Sequence, residues 1–210
     1  MTVRLYDYWR SSACYRVRIA LNLKAVAYEA APTSLIDGEQ KTEAFRAKNP
    51  QALVPLLEID GLRLTQSLAI IDYLDARFPH PPLLPADPAA RARQLAMAML
   101  IAADIHPLNN LRVLGYLKRE LGQPQPAIDA WYRHWIAEGF AALEALADPL
   151  HPYLGGDAPG LADICLVPQM ANARRFSVPL DRYPTLVGID GNCAALEPFR
   201  RAAPEAVKPD

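Results

Sequence analysis

Cysteine is scarce in this chain and unpaired by pattern. Three occur among 210 residues, Cys14, Cys165 and Cys193, with no C-x-x-C. An odd count at wide spacing argues against a disulfide framework, a cysteine-based zinc site and thiol–disulfide exchange. Cys165 stands between Ile164 and the pair Leu166-Val167 and is expected in the core. A surplus of charge of one sign is also missing. With 22 basic and 23 acidic residues the net charge is −1, so nothing global points to nucleic acid or to an anionic membrane surface. Long apolar runs are missing too. The first ten residues, MTVRLYDYWR, hold no run of signal-peptide length. The most apolar stretch, 95–105, is too short to span a bilayer and carries Asp104. A soluble, cytoplasmic protein is expected. There is no internal repeat.

Hydrophobic residues make up 51% of the chain, enough for one large domain or two modest ones. Residues 79–88 read PHPPLLPADP, half of them proline. Proline donates no backbone hydrogen bond and restricts its predecessor, so this stretch is a stiff connector. It divides the chain into 1–80, a linker at 81–88, and 89–210. In the first part strand and helix patterns alternate. Val3, Leu5 and Tyr8 lie in a short extended run. Residues 11–23 place Cys14, Val17 and Leu21 on a helical stripe, and 27–31 suggests a second strand. Residues 38–48 form a weaker helix. Asp60-Gly61 between the apolar runs 54–59 and 62–65 predicts a tight hairpin, because that turn needs positive φ. A helix over 67–78 follows, with Leu68, Ile71, Leu74 and Phe78 on one face. The order β-α-β-α-β-β-α implies an α/β layer with a mixed sheet. Beyond the linker no strand pattern survives. Helices are expected over 89–121 with a break at Pro107, then over 127–147, 161–176 and 193–203.

The stretch Ser11-Ser12-Ala13-Cys14-Tyr15-Arg16-Val17-Arg18-Ile19-Ala20-Leu21 resembles the S-S-C-x-[WY]-R-V-R-I-A-L signature of zeta-class glutathione transferases. That class includes maleylacetoacetate isomerases and bacterial maleylpyruvate isomerases. Asn49-Pro50, Val54-Pro55 and the run Gln66 to Ile70 are similar to the glutathione site of the wider superfamily. Residues 104–110 and 172–176 look like the zeta-class substrate pocket. The resemblance runs in order over essentially the whole chain. It implies a thioredoxin-like first domain, a helical second domain, a homodimer and glutathione as cofactor.

It also implies a reaction: cis–trans isomerisation of a small dicarboxylic keto-acid, maleylacetoacetate to fumarylacetoacetate, by thiolate addition, bond rotation and elimination. Maleylpyruvate isomerisation, conjugation of small electrophiles, and a non-catalytic binding module are the rival readings. By resemblance Ser11 donates to the glutathione sulfur, with Ser12 adjacent. A helix start suits such an anion, through unpaired N–H groups and the helix dipole. Val54, followed by a cis Pro55, pairs with the backbone of the tripeptide. Gln66 and Ser67 take its γ-glutamyl carboxylate, and Gln51, Asp104 and Asn110 are further contacts. Arg10, His106, Arg112 and Arg175 are the candidates for an anionic substrate, because arginine's rigid fork suits carboxylates. Either serine at the first helix, and Ser67, is equally able to cap a helix. Each arginine has the alternative of being a surface charge or half of an ion pair. His106 and Asn110 stand one helical turn apart and are able to share a face, if Pro107 permits.

Two departures from the pattern stand out. Ala13 occupies the position of the family cysteine, and Cys14, turned by about 100°, does not replace it. Gly160 stands where Ser or Thr usually opens a helix with Asp163 three residues on. On capping preference alone, Gly160→Ser is expected to stabilise the chain by a few tenths to one kcal/mol.

Overall fold

The computed structural model describes residues 2–209. They fall into two compact units, 2–82 together with 195–209, and 83–194.

The first unit is built on a four-stranded sheet: β1 (Arg4–Asp7), β2 (Glu29–Pro32), β3 (Leu56–Ile59) and β4 (Leu62–Thr65), in the order β2-β1-β3-β4. β1 runs parallel to β2 and antiparallel to β3, and β3 antiparallel to β4. The expected hairpin is present: Asp60 and Gly61 both have positive φ, +52° and +78°, and Leu56 pairs with Thr65. Leu5 and Leu57, partners in the ladder, are fully buried. Tyr6 and Leu56 form a separate cluster with Phe45. Phe45 belongs to α2 (Glu43–Arg46), and a 3₁₀ turn over Glu39–Lys41 precedes it. The single helix expected over 38–48 is thus two short pieces. Thr42 is extended between them, and its hydroxyl caps α2 by accepting from Phe45 N at 3.3 Å.

α1 (Ser12–Leu23) packs on α3 (Ser67–Arg77) and on α9 (Glu197–Ala202), which returns from the C-terminus with α10 (Pro204–Val207). Here the structure departs from the helix expected over 193–203 and from a second domain running to 210. Pro198 fits only a first helical turn, so α9 begins afresh after Leu196. The return is fixed from α1: Arg18 Nε donates to the Ala202 carbonyl at 2.9 Å, and Asn22 Nδ2 to that of Pro198 at 2.9 Å. Lys24 Nζ, buried against Asp75 at 2.6 Å, also donates to the Pro81 carbonyl and holds the start of the connector.

The second unit is helical: α4 (Pro88–Met99), a π-helical turn (Leu100–Ile105), α5 (Leu111–Arg119), α6 (Gln125–Leu146), α7 (Leu161–Arg175) and α8 (Pro184–Ala194). The break expected at Pro107 is present but starts earlier. The helix widens at Leu100, where His106 N reaches back five residues to the Ile101 carbonyl. Ile105 seats against Gly139 of α6, where a Cβ would lie 2.3 Å from Ile105 Cδ1, so the glycine permits this approach. α7 is the central helix, buried almost throughout from Leu161 to Ala173. α8 was not anticipated, because Gly188 and Gly191 dilute its apolar pattern. Among the described residues no helix is long and apolar enough to cross a membrane.

Candidate functional site

In the first unit the functional residues gather at the starts of α1 and α3. Ser11 N donates to the Tyr8 carbonyl at 2.8 Å, closing the turn from β1 into α1. Ser11 is extended, and its Oγ accepts from Cys14 N at 3.2 Å. The hydroxyl therefore caps the helix and still has its own proton to give, since it carries one donor and two acceptor sites. Capping and a donor role coexist in one residue. Ser12 opens the helix and is buried. Cys14 is fully enclosed, and burial, with Asp7 nearby, pushes its thiol well above the ordinary range. Cys165 and Cys193 are buried as well. No described cysteine is placed to serve as a thiolate nucleophile.

The turn carrying Ser11 is held from behind. Arg18, fully buried, donates to Asp7 Oδ1 at 2.6 Å and to the Trp9 carbonyl at 3.0 Å. Burial raises the Asp7 carboxyl, and Arg18 opposes that rise. Arg10 is exposed, with its guanidinium 4.9 Å from the Trp9 ring centre and Nη2 donating to Tyr8 Oη at 3.2 Å.

The segment 49–55 forms the next wall. Buried Asn49 bridges it: Nδ2 donates to the Leu53 carbonyl at 2.7 Å and Oδ1 accepts from Gln51 N at 3.0 Å. Val54-Pro55 is cis, as the resemblance implies, and Val54 lies just before the β3 ladder. Gln66 stands at the N-cap position of α3 with a positive φ of +67°, a sparsely populated conformation for a residue with a side chain, and its side chain makes no capping bond. Its Nε2 donates to Gln51 Oε1 at 3.0 Å, which joins two candidates 15 positions apart. Ser67 is buried at the first turn of α3, and its Oγ accepts from Arg16 Nη1 at 3.4 Å. By resemblance Arg16 is a signature residue with no assigned role. The available signal was a charged side chain in the middle of a helix that is otherwise buried.

In the second unit the loop after the π turn is pinned to α6. Trp131 Nε1 donates to the Leu108 carbonyl at 2.8 Å, and Asn109 Nδ2 to that of Tyr132 at 3.3 Å. Asp104 is exposed on the π turn, His106 is half-buried at its end, and Arg112 is exposed in the first turn of α5. Asn110 caps α5, accepting from Arg112 N at 3.0 Å. His106 and Asn110 therefore share no helical face: one closes the π turn and the other opens a new helix, because Pro107 ends the ladder between them. The two arginines at the end of α7 separate cleanly. Arg174 Nη2 is held by buried Asp190 at 2.5 Å. The Arg175 guanidinium lies 4.8 Å from the Phe176 ring centre. Phe176 stacks on buried Tyr132 at 3.6 Å between ring centres. Burial raises the Tyr132 phenol, and its interaction with Arg175 partly offsets this.

Gly160 opens α7 without a side chain, and Asp163 does the capping: its carboxylate accepts from Leu154, Gly155 and Gly160 N at 2.8, 3.1 and 2.9 Å. The gain expected from serine is opposed here by packing. A Cβ at 160 would lie 2.4 Å from Gln94 Oε1 and 3.0 Å from the Leu83 carbonyl oxygen.

Taken unit by unit, the first offers a hydroxyl proton at one helix start and a second hydroxyl with a buried cation at another. This donor set fits an extended molecule carrying a thiolate and a carboxylate. The second offers arginines on α5 and α7 of the kind that bind carboxylates.

Residues 5–82 match the model of the glutathione S-transferase N-terminal domain. A maleylpyruvate isomerase of Ralstonia sp. is 48% identical over 211 residues, covering 99% of each chain. A maleylacetoacetate isomerase of Rhizobium meliloti is 49% identical over 209 residues, covering 98% of this chain and 97% of the relative. A holo structure of a bacterial zeta-class maleylpyruvate isomerase superposes with a TM-score of 0.95 at 48% identity, covering 98% of each chain. The Anaeromyxobacter dehalogenans maleylacetoacetate isomerase with bound glutathione gives 0.89 at 44% identity, covering 99% of this chain and 97% of that one. With near-complete coverage at such identity, the chain belongs to the zeta class of the glutathione S-transferase family.

Proposed function

We propose that this chain is a glutathione-dependent isomerase that converts maleylacetoacetate to fumarylacetoacetate. The observation that carries the reading is the Ser11 hydroxyl, which caps α1 through Cys14 N and keeps a proton to donate, while every described cysteine is buried. The thiol must then come from outside the chain. Glutathione supplies a thiolate that adds to the conjugated double bond and leaves once the bond has turned.

The chain's own residues bind, orient and stabilise charge. Ser11 donates to the sulfur, and the first turn of α1, with Ser12, favours its ionised form. Val54 offers backbone hydrogen bonds beside cis Pro55, Gln51 and Gln66 flank the γ-glutamyl group, and Ser67 donates to its carboxylate. Arg175, supported by Phe176 and Tyr132, grips a substrate carboxylate, with Arg10, Arg112 and His106 as further cationic or polar contacts. Asp104 and Asn110 shape the polar edge near His106. A conjugating transferase has less use for so many arginines, and a non-catalytic module has no need of Ser11 and Gln66-Ser67 together. The same reading places the protein in the cytoplasm as a homodimer, which sedimentation of the full chain tests.

The test is an absorbance assay with maleylacetone, with and without glutathione, on wild type and Ser11→Ala. Isomerisation that requires glutathione and falls at least about tenfold in the variant is the expected result. Glutathione binding without isomerisation would overturn it. Rates with maleylacetoacetate and maleylpyruvate then rank the two substrates.

A further inference from the structure

Arg16 lies one turn into α1 and is only 1% exposed. Its Nη1 donates to the hydroxyl oxygen of Ser67, the first residue of α3. That end of α3 is already positive, because its first N–H groups have no intrahelical acceptors and the helix dipole points that way. A buried cation placed there adds to the positive potential. Such an arrangement does nothing for the helix by itself; it suits an anion arriving in front of Ser67. The hydrogen-bond direction points the same way. A guanidinium has donors only, so Arg16 occupies a lone pair of Ser67 and leaves the hydroxyl proton to be given elsewhere. Gln66, just before it in the chain, has a positive φ and its amide donates to Gln51.

We propose that Arg16 is a positioning residue for the γ-glutamyl carboxylate of glutathione, holding Ser67 as an outward donor and setting a buried positive charge behind that carboxylate. This rests on the glutathione reading of Gln66 and Ser67 above. Lysine cannot reproduce the role in full, because its shorter reach and single donor point do not match the fixed fork. The signature of the role is selectivity between ligands. Glutathione should feel Arg16, while 4-aminobutyryl-cysteinylglycine, which lacks only the α-carboxylate of the γ-glutamyl residue, should not.

The test is calorimetric titration of full-length wild type, Arg16→Lys, Arg16→Met and Ser67→Ala with both ligands, alongside thermal melts. Wild type should prefer glutathione by about tenfold or more. Arg16→Met should lose about tenfold in glutathione affinity and Arg16→Lys about threefold, while either variant changes the analogue less than about twofold. Should Arg16→Met fail to fold, Arg16→Lys carries the measurement. Equal weakening of both ligands would overturn the proposal, since that is what a mere support of helix packing does; so would unchanged glutathione affinity. Loss in Ser67→Ala with none in Arg16→Lys sinks this inference alone. Full affinity in Ser67→Ala sinks the assignment of the carboxylate and the inference with it.

Discussion

Placing serine at position 160 sets two effects against each other. Gly160 is the N-cap of α7 with φ −129° and ψ −163°, extended backbone that serine adopts without cost. A serine hydroxyl there would gain a few tenths to about 1 kcal/mol as a cap. The Cβ, however, would enter space already held by Gln94, whose Oε1 would lie 2.4 Å away and Cδ 3.1 Å away. Gln94 is buried and its Nε2 donates to the Gly155 carbonyl at 3.2 Å. On the other side the Leu83 carbonyl, at 3.0 Å from the Cβ, is tied to Leu161 N at 2.8 Å and has little room to give. Overpacking of this kind costs about 1–3 kcal/mol, and displacing Gln94 forfeits a further hydrogen bond worth about 1 kcal/mol. The net expectation is a loss of about 1–3 kcal/mol, or a urea midpoint lower by about 0.5–1 M. Gly160→Ala should lose at least as much, because it brings the Cβ without the offsetting hydroxyl. Introducing Gln94→Ala first should make Gly160→Ser neutral or favourable, a coupling that a double-mutant cycle reads directly. A midpoint raised by Gly160→Ser in the presence of Gln94 would refute the reasoning.

The arginine pair at the end of α7 should divide its effects. Arg174→Ala strands buried Asp190 and should cost about 1–3 kcal/mol of stability with an unchanged substrate KM. Arg175→Ala should raise that KM about tenfold and leave the unfolding midpoint nearly in place; the opposite pattern would exchange their roles. Asp163→Asn puts an amide donor among three N–H groups and should cost about 2 kcal/mol or more in denaturant unfolding. Burial pushes the Asp163 carboxyl up to about 6, so it binds its proton more tightly folded than unfolded. Its share of stability is then full below about pH 4 and declines as pH rises through about 6, by up to about 3 kcal/mol. The gap between wild type and Asp163→Asn should therefore narrow from pH 4 to pH 7, and a gap that widens would refute the assignment.

Short-range rules were enough wherever neighbouring residues decide the backbone. Asp60-Gly61 dictated the hairpin because few other pairs tolerate two successive positive φ values. Ser11 and Asp163 marked helix starts because the Ser11 side chain satisfies an N–H three residues on and the Asp163 side chain one three residues back. The signature around Ser11 and the pair Gln66-Ser67 named candidate site residues by resemblance, and both stand at helix starts. One boundary between the units, 82/83, falls inside the proline-rich stretch. Pro107 likewise announced a break, although the π turn that begins at Leu100 depends on Ile105 meeting Gly139, 34 positions away.

What tertiary structure alone decided is which side chains meet across the chain. Arg16 and Arg18 are adjacent in type and spacing to ordinary helix surface charges. Only packing shows that one supports Ser67 while the other ties Asp7, Trp9 and Ala202 together. Neighbouring Arg174 and Arg175 differ in nothing local; Asp190 claims the first and the Phe176 ring the second. The return of 195–209 to the first unit follows from carbonyls that only the folded chain brings to α1. Gly160 makes the distinction sharpest. Local propensity favours serine there, and the occupied space beside Gln94 opposes it, because propensity counts hydrogen bonds along the chain while packing counts atoms from everywhere else.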